Sequence, residues 1–229
     1  MSKIIVILVF VVIIAGAIYF EKRRGNDMEA IAGRLGFSFQ AGQQPLPDVL
    51  DQAGFDLFTQ GPPNIKNRMW GERNGREITL FDFHYDATTS GEGRRDTPVT
   101  DDHNSMERRS QTVVWIRAKA TPLPDFDLSP NRLHQRTAAA RFGLSPVSFD
   151  GHPAFRGHYI LLARDAARIR RLFNDRVLDY LASQPGIVLE SRGTNILFYR
   201  FEQLPNPTAA PELIADAEAL LDLLSCSDC

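Results

Sequence analysis

The stretch Arg68-Met69-Trp70-Gly71-Glu72-Arg73-Asn74-Gly75-Arg76-Glu77-Ile78-Thr79-Leu80-Phe81-Asp82-Phe83-His84-Tyr85 decides the fold class. Asn74-Gly75 is the dipeptide that best tolerates two successive positive φ angles, so it predicts a two-residue turn between strands over 68–73 and 76–85. Side chains alternate along a strand. Thr79, Phe81, Phe83 and Tyr85 therefore share one face, and Ile78, Leu80, Asp82 and His84 share the other.

Downstream, Thr112 to Ile116 is rich in β-branched and aromatic residues and reads as the next strand. The intervening 87–110 is polar, contains glycine and is nearly free of aliphatic residues, so it reads as a mobile loop. Leu123-Pro-Asp-Phe-Asp-Leu-Ser-Pro130 reads as an extended lead into a helix, with Ser129 as the cap and Pro130 at the first helical position. That helix ends at Phe142-Gly143. Tyr159 to Ala163 is a short apolar strand. Asp165 caps a long amphipathic helix that buries Ile169, Leu172, Phe173, Val177, Tyr180 and Leu181. Ile187–Glu190 and Ile196–Phe201 form a second hairpin around Arg192-Gly193, and Pro211 opens a last acidic helix through Leu224. Hairpins and unevenly spaced helices predict an α+β domain with an antiparallel or mixed sheet.

Upstream, residues 4–20 read IIVILVFVVIIAGAIYF without a charge. As a helix this stretch covers about 25 Å, the short end of what a bilayer core requires. Tyr19 and Phe20 suit the interface. The alternative is a cleaved signal peptide, since Ala15-Gly16-Ala17 has the small-x-small form. Apolar residues continue past that site into Lys22-Arg23-Arg24, which reads as a stop and favours a retained anchor. The positive-inside bias of Lys22, Arg23 and Arg24 places the soluble domain in the cytoplasm, on an inner-membrane single-pass protein; in the alternative the domain is exported. Asn26 and Glu29 form a capping box for a second helix ending at Gly36, followed by a short strand over 37–39 and a connector over 43–47. The expected organisation is a flank over 1–3, a span over 4–20, a soluble domain over 21–225 and a tail over 226–229.

The formal charge of −2 over 229 residues, with 43% apolar and 24% charged residues, describes an ordinary folded chain. It lacks the basic excess of a nucleic-acid binder. The bilayer is the partner the sequence implies, along with an unidentified membrane or cytoplasmic protein.

With these elements placed, the chain resembles a group of uncharacterised bacterial single-span membrane proteins that carry a soluble α+β domain. The resemblance rests on the anchor and basic stop, Arg34-Leu35-Gly36-Phe37, the Asn-x-x-x-Gly of Asn67 and Gly71, Leu80-Phe81-Asp82, and the run from Leu123 to Pro130. It covers most of the chain. It implies architecture, and carries over no activity, cofactor or site residue.

Candidate sites come from the residues themselves. Asp82, His84 and Asp86 alternate on one strand face, a donor set suited to a divalent metal, with Asp101, Asp102 and His103 able to join from the loop. Against that stands an ordinary solvated strand face. Arg164, Arg168 and Arg171 recur at helical spacing and, with Lys22, Arg23 and Arg24, offer contacts to anionic headgroups; the alternative is a solvated face paired with Asp165, Asp175 and Asp179. Asp125-Phe126-Asp127 has a D-x-D form, explained more simply as an exposed lead with Phe126 and Leu128 turned inward. Cys226-Ser227-Asp228-Cys229 follows a helix C-terminus, where the dipole disfavours a thiolate, and reads as a frayed tail. His134, His152 and His158 are scattered. No phosphate loop, dinucleotide fingerprint, zinc-protease or nucleophile-elbow motif is present, and no cofactor is implied. The expected function is a membrane-tethered non-enzymatic domain for protein or lipid-surface interaction, with a metal-dependent enzyme at Asp82, His84 and Asp86 as its rival.

Overall fold

A computed structural model describes residues 2–59, 64–88, 106–131 and 143–225. The chain begins with one unbroken helix, α1 (Ser2–Leu35). The expected break at Asn26 is absent. No proline interrupts the helix there, so its backbone groups bond within the helix and need no cap. Gly25, unfavourable in a helix interior by about 1 kcal/mol, is buried, and a Cβ there would lie 3.4 Å from Asn67 Oδ1. At the far end Phe37 N–H donates to Ala32 O and Gly36 N–H to Gly33 O, with Gly36 at φ +71°. This is the paired closure that leaves glycine just past the last turn.

The strands are β1 (Ser38–Gln44), β2 (Asn64–Arg73), β3 (Arg76–Thr88), β4 (Met106–Arg117), β5 (Leu123–Pro130), β6 (Ser145–Pro146), β7 (Tyr159–Ala163), β8 (Ile187–Gly193) and β9 (Asn195–Arg200). They make one sheet in the order β1-β2-β3-β4-β9-β8-β5-β7-β6, with every pairing antiparallel. The helices are α2 (Asp48–Gln52), α3 (Pro153–His158), α4 (Ala166–Leu172), α5 (Asp175–Ser183) and α6 (Ala210–Ser225). An α+β fold behind an apolar N-terminal helix is what the sequence predicts.

Alternation along the strands builds two cores. Leu80, Val114, Ile196 and Phe198 face the helices and pack with Met28 and Ile31 of α1, Leu181 of α5 and Leu221 of α6. Phe81, Phe83, Val113 and Leu197 face the other way, under Leu50 of α2 and Phe55 and Leu57 of the following turn. The predicted division of β3 into two faces therefore holds.

Three further local readings change. Leu123–Pro130 is an interior strand, paired with β7 on one side and β8 on the other. Its two prolines do not prevent this, because the carbonyls and remaining N–H groups still serve the ladders. The helix expected from Ser129 falls mostly on 132–142, outside the described residues. The long helix after Asp165 is two helices. Asp165 caps α4 as predicted, accepting from Arg168 N–H, but Asn174 then caps α5 by accepting from Val177 N–H. Asn174 competes for the backbone there and restarts the helix. Last, β3 and β4 extend into the expected loop, pairing Tyr85 with Arg109 and His84 with Ser110. A polar sequence still forms a strand when its partner satisfies the backbone, so composition marked the loop too wide. Residues 89–105 of that loop, including Asp101, Asp102 and His103, lie outside the described residues, as do His134, Cys226 and Cys229.

Candidate functional site at the junction of the N-terminal helix and the sheet

Arg24, Met28 and Ile31 recur at helical spacing on the inner face of α1. Met28 and Ile31 enter the core. Arg24, one turn nearer the amino terminus, reaches Asp82 in the middle of β3. Its Nε donates to Oδ2 and its Nη2 to Oδ1, both at 2.7 Å. Asn67 Nδ2 adds a bond to Oδ2 at 3.0 Å, and Thr112 Oγ1 donates to Oδ1 at 3.0 Å. The remaining Arg24 nitrogen, Nη1, donates to the Pro205 carbonyl. The Asp82 side chain is fully buried and that of Arg24 is 17% exposed. A bidentate guanidinium fork with every carboxylate oxygen doubly engaged is the geometry in which a buried ion pair is well satisfied.

The backbone is shaped for this joint. Asn67 sits at φ +51°, within the register shift of β2 between Lys66 and Met69. A bulge of this kind re-aims a side chain, and here it turns the Asn67 amide onto Asp82. Further along the same strand, Gly71 leaves room for Phe37, two residues past the end of α1. Asn67 with Asp82, and Gly71 with Phe37, all among the residues that carry the sequence resemblance, thus make two separate contacts where α1 and the residues just after it meet the sheet.

Beside the joint lies a cleft of about 310 Å³, lined among others by Phe20, Asn64, Lys66, His84, Ser110 and Leu204. Lys66 is paired with Glu21 of α1. His84 Nδ1 and Ser110 Oγ are 2.7 Å apart. Asn64 Oδ1 is buried without a partner among the described residues.

The structure places some of the predicted site residues. Asp82 and His84 do share this cleft, but the cation facing Asp82 is Arg24. The Asp86 side chain lies outside what the structure describes. Among the described residues no group of three His, Cys, Asp or Glu could hold a metal ion. Lys22 and Arg23 are exposed, whereas Arg24 turns inward, so the basic stop is divided between solvent and joint. Arg164, Arg168 and Arg171 are exposed at the corner of β7 and α4. That corner is six positions from β2 in the sheet, about 29 Å at about 4.8 Å per strand. The structure does not gather them with Lys22 and Arg23.

A second buried cluster was not predicted as such. Arg192 of β8 grips Asp127 of β5 through Nη1 and Nη2 at 2.7 and 3.0 Å. Asp127, read as part of an exposed lead, is buried instead, because its strand is interior. Nearby Glu190 accepts from the backbone N–H groups of Asp56 and Leu57 and from the Tyr199 hydroxyl. Burial pushes the Glu190 carboxyl up to about 8; the Asp127 and Asp56 charges add to this, and Arg192 opposes it. The cluster fastens the 56–59 turn to the sheet. A lone Glu in an apolar strand, opposite a D-x-D, was the available signal.

No protein-family model and no curated protein matches the sequence. Among solved structures, the crystal structure of the mycobacterial trehalose monomycolate transport factor A, TtfA, aligns with a TM-score of 0.58 at 14% identity, covering 88% of this chain and 94% of that one. The likeness is one of fold. Among the described residues one helix, at the N-terminal end, is long and apolar enough to cross a membrane.

Proposed function

We propose that this chain is a membrane-tethered, non-enzymatic domain that holds one fixed face against the lipid surface, on the cytoplasmic side of the inner membrane. The observation that carries the reading is the Arg24–Asp82 joint. A domain on a loose tether has no use for a buried ion pair between its anchor helix and the middle of its sheet. Here the apolar part of α1 continues without a break into the part that packs in the core, so the helix sets the domain's distance and tilt together. Exposed Lys22 and Arg23, on the turn beyond the apolar stretch, meet the headgroup layer, where each basic residue contributes roughly 1 kcal/mol. The fold likeness is consistent with this reading, since the structure aligned with it is titled a transport factor for a lipid, trehalose monomycolate.

Fractionation of bacterial cells expressing the full-length chain tests the proposal. The reading expects an intact chain that survives an alkaline carbonate wash in the membrane pellet and is shielded from protease added to spheroplasts. A shortened chain beginning at Ile18 in the wash, or prompt digestion from outside, overturns it.

A further inference from the structure

Successive contacts set β3 beside α1 and fix its direction. Gly71, whose strand partner is Ile78, lies under Phe37, two residues past the helix. Asp82 meets Arg24, and His84 lines the same cleft as Phe20. Passing from Phe37 to Arg24 to Phe20 therefore follows β3 from Ile78 to Asp82 to His84. The strand points back along α1, towards its apolar part. The steps agree in length as well, since Arg24 to Phe20 is about 6 Å of helix and Asp82 to His84 about 7 Å of strand.

The hairpin does not stop at the level of Phe20. β3 stays paired with β4 as far as Thr88 and Met106. Thr88 is about 20 Å of strand beyond Asp82. The same length of α1, measured back from Arg24, ends near Val11, deep in the apolar stretch. Meanwhile β2 leaves β3 at His84, and β9 leaves β4 at Val113. Past His84 and Ser110 the hairpin is a two-stranded ribbon, with no third strand beside it among the described residues. Its base is held fast. His84 Nδ1 and Ser110 Oγ are hydrogen-bonded, Tyr85 is buried in the second core, and Arg109 pairs with Glu202.

Such a ribbon cannot follow the helix into hydrocarbon. Its outer backbone N–H and C=O groups would find no partner there, and Asp86, Glu107 and Arg108 would bring charge with them. Nor can it stand clear of lipid, because its base lies beside Phe20, the last residue of the apolar stretch. The headgroup layer meets both conditions. The pronounced twist of a two-stranded ribbon turns its strands off the helix axis and into that layer. We infer that the ribbon of residues 86–88 and 106–108 lies in the phospholipid headgroup layer, as a second membrane contact that sets the direction in which α1 tilts. Asp86 and Glu107 offset Arg108, so zwitterionic lipid suffices as the partner. This rests on the proposed membrane-tethered reading.

The test uses the full-length chain in phosphatidylcholine nanodiscs, with Cys226 and Cys229 changed to Ser and one fluorophore attached at a new cysteine. Its quenching is compared between nanodiscs that carry a nitroxide on the lipid headgroup and nanodiscs that carry it on the acyl chain. Ala87→Cys, on the ribbon, should be quenched by the headgroup nitroxide severalfold more than Glu72→Cys, an exposed position near the opposite end of the sheet. The acyl nitroxide should quench it less than the headgroup nitroxide does. Met106→Cys, on the facing strand, should behave alike and serves if the first variant does not fold. Ribbon labels quenched no more than Glu72→Cys, as for a ribbon held in water or covered by protein, overturn the inference. So does quenching that is strongest from the acyl chain. Val11→Cys reports on the anchor by itself: weak quenching there by the acyl nitroxide would count against the tethered reading, so the two failures are distinct.

Discussion

Gly71 lies directly under the ring of Phe37: a Cβ built on Gly71 would fall 2.3 Å from Phe37 Cδ1. No side chain fits there without moving the ring that closes α1 onto the sheet. Gly71→Ala should therefore destabilise the domain by about 1–3 kcal/mol, the usual cost of overpacking. Phe37→Leu combined with Gly71→Ala should recover part of the loss. Denaturant unfolding of the full chain in neutral micelles measures both; an unchanged midpoint for the single variant would show that the ring moves freely.

Removing either partner of the Arg24–Asp82 pair has unequal consequences. Asp82 is the more deeply buried of the two. Arg24→Ala strands a carboxylate in the core and should cost about 3–5 kcal/mol. Asp82→Asn keeps an acceptor for the guanidinium and should cost less. Arg24→Met with Asp82→Leu should be better tolerated than Arg24→Ala alone. Unfolding midpoints of the three variants decide this, and equal losses for both single changes would argue against a buried pair.

Stability should fall with alkalinity through Glu190. Its carboxyl ionises near 4.5 in the unfolded chain and is raised to about 8 in the folded one by burial and by the Asp127 and Asp56 charges. The folded state thus binds the proton more tightly, so the stability present below about 4.5 is lost as pH rises towards about 8. The change is on the order of a few kcal/mol. Asp127, also raised by burial, acts with the same sign. Glu190→Gln should flatten the difference between unfolding midpoints at pH 6 and pH 9 to less than half, and a slope as steep as the parent's would refute the assignment.

If the apolar part of α1 spans the bilayer as proposed, a charge at its middle should weaken insertion. Val11→Arg lies in the middle of the apolar stretch and should cost about 2.5–3.5 kcal/mol of insertion free energy. The fraction surviving a carbonate wash should drop accordingly. Val49→Arg, at a position 40% exposed on the domain surface, should leave that fraction unchanged.

Much of this architecture was legible in the residues. Asn74-Gly75 announced its hairpin, the alternation through β3 divided the two cores correctly, and the uncharged run over 4–20 marked the apolar helix. What the sequence concealed is long-range. Asn26 has every local property of a cap, yet tertiary contacts of Gly25 and Met28 carry the helix through it. Asp127 looks exposed between prolines until β7 and β8 close on either side. Arg24 reads as one more residue of a basic stop, because nothing local says that Asp82, far along the chain, is its partner. For the candidate site, the sequence located Asp82 and His84 but assigned the counter-ion to a metal. A buried acid on a strand is paired by whichever cation the fold delivers, and periodicity does not identify that cation.

The most direct measurement is the distance between spin labels at Ile14→Cys in the apolar half of α1 and Glu72→Cys on β2, in nanodiscs, with Cys226 and Cys229 changed to Ser. A continuous helix pinned through Arg24 and Asp82 predicts one narrow distance distribution that broadens when Arg24→Ala is added. A broad or bimodal distribution in the parent, indifferent to Arg24, would contradict the account.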